Sequence, residues 1–147
     1  MKNQKNTNIK SYFVDLNDYQ IINEINRGGF ASISLVERKK DRRQLAAKVD
    51  FGNNSANKGK NISREIAILM RIQSPTIIRF YGFSLHDFQG NLNPTILMEF
   101  HKNGSLRQLI DNEIHGDDKI MTGTQKLILI YGIAAALSYL HDHGIIH

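Results

Sequence analysis

The amino-acid sequence predicts an α+β fold built on an antiparallel sheet. Three observations lead to this fold class. Several short segments between residues 19 and 100 alternate apolar and polar residues, as strands with one buried face do. One helical pattern interrupts these segments and two more follow them. Because strands and helices do not alternate regularly, an antiparallel sheet is expected and a parallel, doubly wound sheet is not.

The composition is that of one intracellular domain. The chain has 147 residues, of which 41% are hydrophobic, which is enough to form a core. Cysteine is absent from the sequence, so an oxidising compartment gains no support and a cytoplasmic location is expected. The polar first ten residues contain no apolar run of the kind that a secretory signal requires. Residues 1–18 are predicted to form a disordered leader.

Three strands are predicted at the start of the folded part. They cover residues 20–25, 32–36 and 44–51. Gly28 and Gly29 form the turn between the first two strands, and the charged segment 37–43 forms the next turn. The third strand is followed by a loop over residues 52–59, which is rich in Asn, Ser and Gly.

A helix and two further strands complete the sheet region. The helix is predicted over residues 62–73, where Ile62, Ile66 and Leu69 fall on one face, and Ser74-Pro75 ends it. The two strands cover residues 76–84 and 95–100 and are joined by a polar loop.

Two helices follow the sheet region. Ser105 is a plausible N-cap for a short helix beginning over residues 106–110. Thr122 or Thr124 is expected to cap a long helix that runs to about His143. Its longest apolar stretch, residues 127–137, is too short to span a bilayer, so a buried helix and no membrane partner are predicted.

The long helix is apolar nearly all round, and such a helix needs neighbours on every side. The small sheet cannot supply them. We therefore expect the chain to be a piece of a longer protein that exposes a large apolar surface in isolation.

Basic residues cluster in the turn at residues 38–43, within a chain of net charge +5. A nucleic-acid or acidic-lipid surface is one interpretation, and a solvated hairpin tip is the other. No aromatic residues are interleaved for base stacking, so the solvated turn is favoured and no nucleic-acid partner is predicted.

The glycine-containing turn and a strand lysine are the first candidates for chemistry. Glycine lets backbone N–H groups approach a phosphate, although a bare hairpin turn explains Gly28 and Gly29 equally well. Lys48 follows the apolar residues 45–47. A cation on such a strand must be paired, meet an anion or point into water. Glu65, on the predicted helix at 62–73, is either its partner or an ordinary solvated carboxylate.

Taken in order, these segments resemble the protein kinase family. The turn resembles the family's G-x-G-x-x-G loop, although only Gly28 matches a glycine position and Asn26 and Ala31 occupy the other two. Lys48 is similar to the lysine of the V-A-I-K strand, and Glu65 to the glutamate of the αC helix. The segment 96–106 resembles the fifth strand and hinge of the tyrosine-kinase-like branch.

The resemblance also implies an ATP site. Lys48 would bind the phosphates and pair with Glu65, Met98 would be the gatekeeper, and the backbones of Glu99 and His101 would bind the adenine edge. Apolar side chains would sandwich the ring, and the turn would cover the phosphates. The side chains around the ring would be Ile25, Ile33 and Ala46. The turn over the phosphates would consist of Asn26, Arg27, Gly28, Gly29, Phe30 and Ala31.

The end of the chain resembles the approach to the kinase catalytic loop. Tyr139–Ile146 matches the end of the αE helix, and His147 matches the first residue of the loop. The catalytic Asp and the Mg²⁺ ligands are thus expected beyond the last residue, and no metal ligands within the chain. A metal site formed by His141, His143 and His147 is disfavoured, because no carboxylate or cysteine stands at ligand spacing.

In the kinase-like fold that the resemblance implies, residues 19–98 form an amino-terminal lobe with five antiparallel strands and an αC helix. Residues 99–147 form the hinge and the αD and αE helices of an incomplete carboxy-terminal lobe. The expected function is ATP binding within a Ser/Thr-type protein kinase whose full-length parent phosphorylates a protein substrate with Mg-ATP. The present chain alone is expected to be inactive. The alternative is a pseudokinase or docking module that binds partners without catalysis.

Overall fold

The structure is a computed structural model that describes residues 9–52, 58–116 and 121–146. The chain divides into two compact units. The first comprises residues 1–73 and 78–100, and the second comprises residues 74–77 and 101–147. The boundary at residues 100 and 101 lies two residues after the predicted one.

The first unit contains a five-stranded antiparallel sheet and one helix, as the sequence predicts. The strands follow the spatial order β1-β2-β3-β5-β4, and every neighbouring pair is antiparallel. The helix α1 lies between β3 and β4 in the chain. The bounds are β1 Tyr19–Arg27, β2 Ala31–Arg38, β3 Gln44–Asp50, α1 Lys58–Arg71, β4 Phe80–Ser84 and β5 Thr95–Glu99.

One face of the sheet carries the helix. Ile62 and Ile66 of α1 form a buried cluster with Phe83 of β4 and Ile96 of β5. Lys48 lies opposite Ile96 in the register of β3 and β5, and residues opposite each other share a face. The strand residues that face α1 are therefore those that also surround Lys48.

The other face of the sheet has its own core. Val36, Leu45, Ala47 and Leu97 are almost completely buried there, and Tyr19 packs with them. These residues alternate along their strands with those of the first face, because successive strand residues point to opposite sides. The sheet is thus buried on both faces near its centre.

The fourth strand begins at Phe80, later than the predicted Thr76. The preceding residues 74–77 form a turn in which the Ile77 N–H donates to the Ser74 carbonyl at 3.1 Å. The pairing with β5 shifts register between Phe80 and Gly82. This bulge lets Phe80 and Phe83 both contribute to the cluster under α1, although they are three residues apart.

The prediction of a disordered leader is wrong for residues 9–18. Ile9–Tyr12 and Leu16–Asp18 form short 3-10 helices, and Leu16 is buried in the core beside Tyr19. Phe13 makes a parallel bridge to Phe83 of β4. The segment is ordered because its apolar side chains pack on the sheet, a long-range effect that local polarity does not reveal. Residues 1–8 lie outside the described part.

The second unit contains the two predicted helices, α2 (Leu106–His115) and α3 (Gly123–Asp142). Ser105 and Thr122 are their N-caps, each in a capping box with a glutamine three residues later. Of the two threonines proposed for α3, Thr122 is therefore the cap. The Lys126 ammonium of α3 lies 2.7 Å from the Glu113 carboxylate of α2.

Helix α3 exposes much of its apolar surface. Leu127, Ile130 and Tyr131 are 68%, 63% and 76% exposed, so the predicted exposed apolar surface is present. With 20 residues, α3 is also long and apolar enough to cross a membrane by length and composition. A single helix of this kind is a weak indication, because core helices of soluble proteins share these properties. The absence of a membrane partner stays a prediction.

We expect the 147-residue chain to associate through α3, since an exposed apolar patch of this kind favours burial against another surface. Gel filtration should show elution ahead of a 16.8 kDa monomer and dependence on concentration. The double variant Leu127→Lys, Tyr131→Lys should move the peak towards the monomer. Leu92→Lys, at a 75% exposed site in the loop before β5, should not. A monodisperse wild-type monomer that resists limited protease treatment would contradict the expectation.

Candidate functional site

The centre of the candidate site is an ion pair between β3 and α1. The Lys48 ammonium donates to both oxygens of the Glu65 carboxylate, at 2.7 Å and 3.0 Å. Strand β3 positions Lys48 on the face that carries α1, and α1 presents Glu65 beside the buried Ile66. The two residues are 17 positions apart in sequence. The structure therefore joins Lys48 and Glu65, which the sequence proposed as partners.

The Lys48–Glu65 pair is only partly shielded from solvent. Its side chains are 28% and 38% exposed. A lysine ammonium has three N–H donors, and two are directed at Glu65. The ammonium can therefore donate to an acceptor that arrives from solvent while Glu65 holds it. An exposed pair of this kind contributes little to folding, about 0–1 kcal/mol.

The predicted glycine turn connects β1 and β2. The Gly28 N–H donates to the Ala31 carbonyl at 2.8 Å, which closes the turn. The Phe51 N–H donates to the Phe30 carbonyl at 2.9 Å and ties the turn to the end of β3. A Cβ added at Gly29 would meet no atom within 4 Å, so the space beside the turn is open. Asn26 pairs with Ile33 on β2 and does not prevent the hairpin.

Arg27, at the end of β1, has partners of its own. Its Nε donates to a Glu24 carboxylate oxygen at 2.8 Å, and its guanidinium lies over the Phe51 ring at 5.2 Å from the centroid. The hydrogen bond from Arg27 lowers the pKa of Glu24. The Arg27 and Glu24 side chains are 59% and 41% exposed, so this ion pair lies at the surface next to the glycine turn.

Three of the apolar residues predicted to surround a base share the face of Lys48. Ile33 lies directly opposite Lys48, and Ala46 lies opposite Met98. Ala46 is buried, whereas Ile33 and Met98 are half-buried. Ile25 is 45% exposed on β1, the strand at the edge of the sheet.

The predicted hinge residues fall on both sides of the unit boundary. Glu99 ends β5, and its N–H donates to the Arg79 carbonyl at 2.9 Å. His101 is exposed and belongs to the second unit, so its joint role with Glu99 stays a prediction. The proposed role of His147 also stays a prediction, because this residue lies outside the described part.

Within residues 9–52, 58–116 and 121–146, no group of three His, Asp or Glu side chains could hold a metal ion. His143 instead makes a 2.7 Å hydrogen bond with the Tyr139 carbonyl, and its ring packs on that of Tyr139. These described residues therefore offer no assignment for Mg²⁺.

The packing of residues before β1 on the apolar cluster beneath α1 was not predicted from the sequence. Tyr12 stacks on Phe80 with ring centroids 5.3 Å apart, and it packs against the Ile62 and Ile66 cluster. The signal in the sequence was the density of apolar residues in an otherwise polar leader, namely Ile9, Tyr12, Phe13, Val14 and Leu16.

Comparison with known proteins adds a family match to this geometry. A family model described as the protein kinase domain matches residues 19–147, which is nearly the whole chain. The match includes all five strands, the Lys48–Glu65 pair and both helices of the second unit.

The chain is similar to several curated kinases. It is 32% identical to human dual specificity testis-specific protein kinase 2 over 84% of its own length and 20% of that protein. It is 29% identical to Aurora/IPL1-related protein kinase 2 of Caenorhabditis briggsae, over 97% of the chain and 45% of that protein. Serine/threonine-protein kinase greatwall of Xenopus tropicalis is 28% identical over 90% of the chain and 14% of its own length. The chain thus spans a fifth to less than half of the first two relatives.

Proposed function

The chain belongs to the protein kinase family, and on that premise we propose that its first unit binds ATP for phosphoryl transfer. Proteins of this family use ATP and Mg²⁺ to phosphorylate proteins. The single observation that carries the proposal for this chain is the bidentate contact of Lys48 with Glu65. The two residues come from different elements, and their contact supports the proposal because it holds a partly exposed cation that phosphates could approach.

Lys48 is proposed to hold the α- and β-phosphates of ATP. Glu65 fixes the ammonium in one place, so the positive charge is already in position when the phosphates bind. The partial exposure of the lysine leaves the phosphates a direct approach from solvent. Without Glu65 the flexible lysine side chain would sample many rotamers, and binding would have to restrict them.

The glycine turn is proposed to cover the phosphates. Gly28 N–H is occupied by Ala31, so the role falls to the amides of Gly29 and Phe30. The open space beside Gly29 allows an anion to approach the backbone closely. Arg27, which is paired with Glu24, lies beside the same turn.

The adenine is proposed to lie on the apolar residues that share the face of Lys48. Ile33 and Ala46 would contact the ring, and Met98 would limit the depth of the pocket. The backbone of Glu99 would bind the adenine edge, as the family resemblance implies. Ile25, which is exposed on β1, would close over the ring.

Phosphoryl transfer to Ser or Thr of a protein substrate is proposed for the whole protein. The names of the relatives describe serine/threonine and dual-specificity kinases. Bound Mg²⁺ supplies charge neutralisation between the phosphates in this family. The described residues of this chain would contribute the Lys48 ammonium, the backbone amides of the glycine turn and an apolar surface for the base. No step of the transfer is assigned to them.

A thermal-shift experiment tests the proposal. ATP that binds only the folded chain should raise its melting temperature, because a ligand at 100 times its Kd stabilises by about 2.7 kcal/mol. Mg-ATP should raise the melting temperature of the 147-residue chain by several degrees. Tripolyphosphate at the same concentration should have a smaller effect, since it cannot use the apolar residues. No rise with Mg-ATP, or an equal rise with tripolyphosphate, would contradict a nucleotide site.

The alternative of a docking module without catalysis is not favoured. Asn26 and Ala31 depart from the glycine pattern, but the hairpin forms with both in place. The retained Lys48–Glu65 pair has no evident use in a module that does not hold phosphate.

A further inference from the structure

The amino-terminal residues 9–14, which we term the strap, lie along the free edge of the sheet. Strand β4 is the last in the spatial order of the sheet, so one of its edges has no strand partner among the described residues. Phe13 makes a parallel bridge with Phe83, and the Val14 N–H donates to the Phe83 carbonyl at 3.0 Å. The strap therefore covers hydrogen-bonding groups that would otherwise be exposed.

The strap connects the cores on the two faces of the sheet. Val14 packs against the cluster that contains Leu97 and Val36. Tyr12 packs on the opposite cluster, which contains Ile62 and Ile66 of α1. Its ring stacks on Phe80, and the Phe13 ring lies 4.4 Å from that of Phe83.

The strap and β4 are in close contact at Gly82. A Cβ at this position would lie 2.6 Å from the Tyr12 carbonyl oxygen and 2.6 Å from Cγ1 of Val14. Real Cβ atoms do not make such contacts with backbone. Glycine at position 82 therefore permits the strap to lie where it does.

Helix α1 and the strap pack on the same part of the sheet. Helix α1 contacts β4, and the 3-10 helix Ile9–Tyr12 contacts the same strand. The two α1 residues buried in the cluster are Ile66, which directly follows Glu65, and Ile62, which lies three residues before Glu65. A change in the packing of Tyr12 would thus shift Ile62 and Ile66, and with them the position of Glu65 on the same helix.

We propose that the strap positions α1 so that Glu65 pairs with Lys48, which makes Tyr12 a positioning residue for the site. The effect on ATP binding rests on the proposed function: a displaced Glu65 would leave Lys48 unrestrained and so weaken ATP binding. The geometry it requires, the Lys48–Glu65 pair itself, does not depend on any nucleotide.

Amine labelling of the 147-residue chain tests the strap without nucleotide. Glu65 holds the Lys48 nitrogen through two hydrogen bonds and limits the approach of a reagent to it, so Lys48 should react slowly with an acylating reagent. Mass spectrometry gives the rate at each lysine. Tyr12→Ala should raise the Lys48 rate by at least about twofold, the lower limit for coupled neighbours. Tyr12→Phe, which retains the ring, should keep the wild-type rate.

A double-mutant cycle with Glu65→Gln separates positioning from general loosening. In the Glu65→Gln background Lys48 has already lost its carboxylate partner, so Tyr12→Ala should add little to its rate. Lys102 and Lys126, in the second unit, serve as internal references, and Leu92→Ala is the control for loss of an exposed apolar side chain. If Tyr12→Ala does not fold by circular dichroism, Gly82→Ala displaces the strap from the β4 side instead.

The inference is overturned if Tyr12→Ala leaves the Lys48 rate unchanged. It is also overturned if the rate rises equally in the Glu65→Gln background, or if all lysines accelerate together. Titration with Mg-ATP distinguishes this failure from that of the proposed function. A wild-type chain without ATP binding would refute the proposed function, whereas the labelling cycle would still decide the role of the strap.

Discussion

Lys48→Ala is expected to abolish the rise in melting temperature that Mg-ATP produces in the wild-type chain. The substitution removes the cation proposed to hold the phosphates and leaves Glu65 without its partner. A carboxylate in that position would repel the phosphates, so the loss exceeds that of one favourable contact. At an ATP concentration 100 times the wild-type Kd, stabilisation of about 2.7 kcal/mol should fall to near zero.

The melting temperature without nucleotide should change little in Lys48→Ala, because a partly exposed pair contributes only about 0–1 kcal/mol. Lys40→Ala, in the exposed turn between β2 and β3, is the matched control and should keep the full ATP response. An ATP response retained in Lys48→Ala, or lost in Lys40→Ala, would place the phosphate contacts elsewhere.

Leu97→Ala is expected to have the opposite effect to Lys48→Ala: a large loss of stability with the ATP response retained. Leu97 is completely buried in β5, on the face of the sheet away from Lys48. Truncation of a buried leucine to alanine costs about 2–5 kcal/mol, through lost burial and the cavity that remains. Urea unfolding followed by circular dichroism should therefore show a large loss of stability.

The ATP response separates this effect from a defect in the site. Leu97→Ala should retain a rise in melting temperature with Mg-ATP, from a lower starting value. Leu92→Ala, at an exposed position, should change the free energy of unfolding by no more than about 0.5 kcal/mol. A loss of less than about 1 kcal/mol in Leu97→Ala would contradict the assignment of this face as a tightly packed core.

The elements that were predictable from sequence are those with strong local signals. Alternation of polar and apolar residues located β2. The candidate caps, Ser105 for α2 and Thr122 or Thr124 for α3, located the starts of both later helices to within two residues. The start of β4 was not predictable in the same way. Residues 76–79 resemble a strand by composition, but Thr76 and Ile77 lie in the turn at 74–77, and the strand starts only at Phe80.

The strap shows the other limit of local reasoning. Its neighbours in sequence are polar, so composition indicated a disordered leader. The strap is ordered because it pairs with the edge of β4 and packs closely against Gly82, and both lie about 70 residues away in the chain. Contacts of such separation leave no periodic signal in the segment itself.

The candidate site was only partly determined by sequence. Lys48 and Glu65 were each ambiguous when taken singly, and the family order of the motifs made them partners. The structure adds the contact between them and the shared face with Ile33 and Ala46. The occupied Gly28 N–H could not be foreseen, because it depends on how tightly the turn closes on Ala31.

An NMR titration of the isotopically labelled 147-residue chain with Mg-ATP tests the central claim most directly. Binding at the proposed site should shift the backbone amides of residues 26–33 and 46–50 and of Met98 and Glu99, with one saturation curve for all of them. The basic turn at residues 38–43, which any polyanion could bind, should shift little. Shifts confined to that turn, or no saturable shifts at all, would contradict an ATP site built on Lys48 and Glu65.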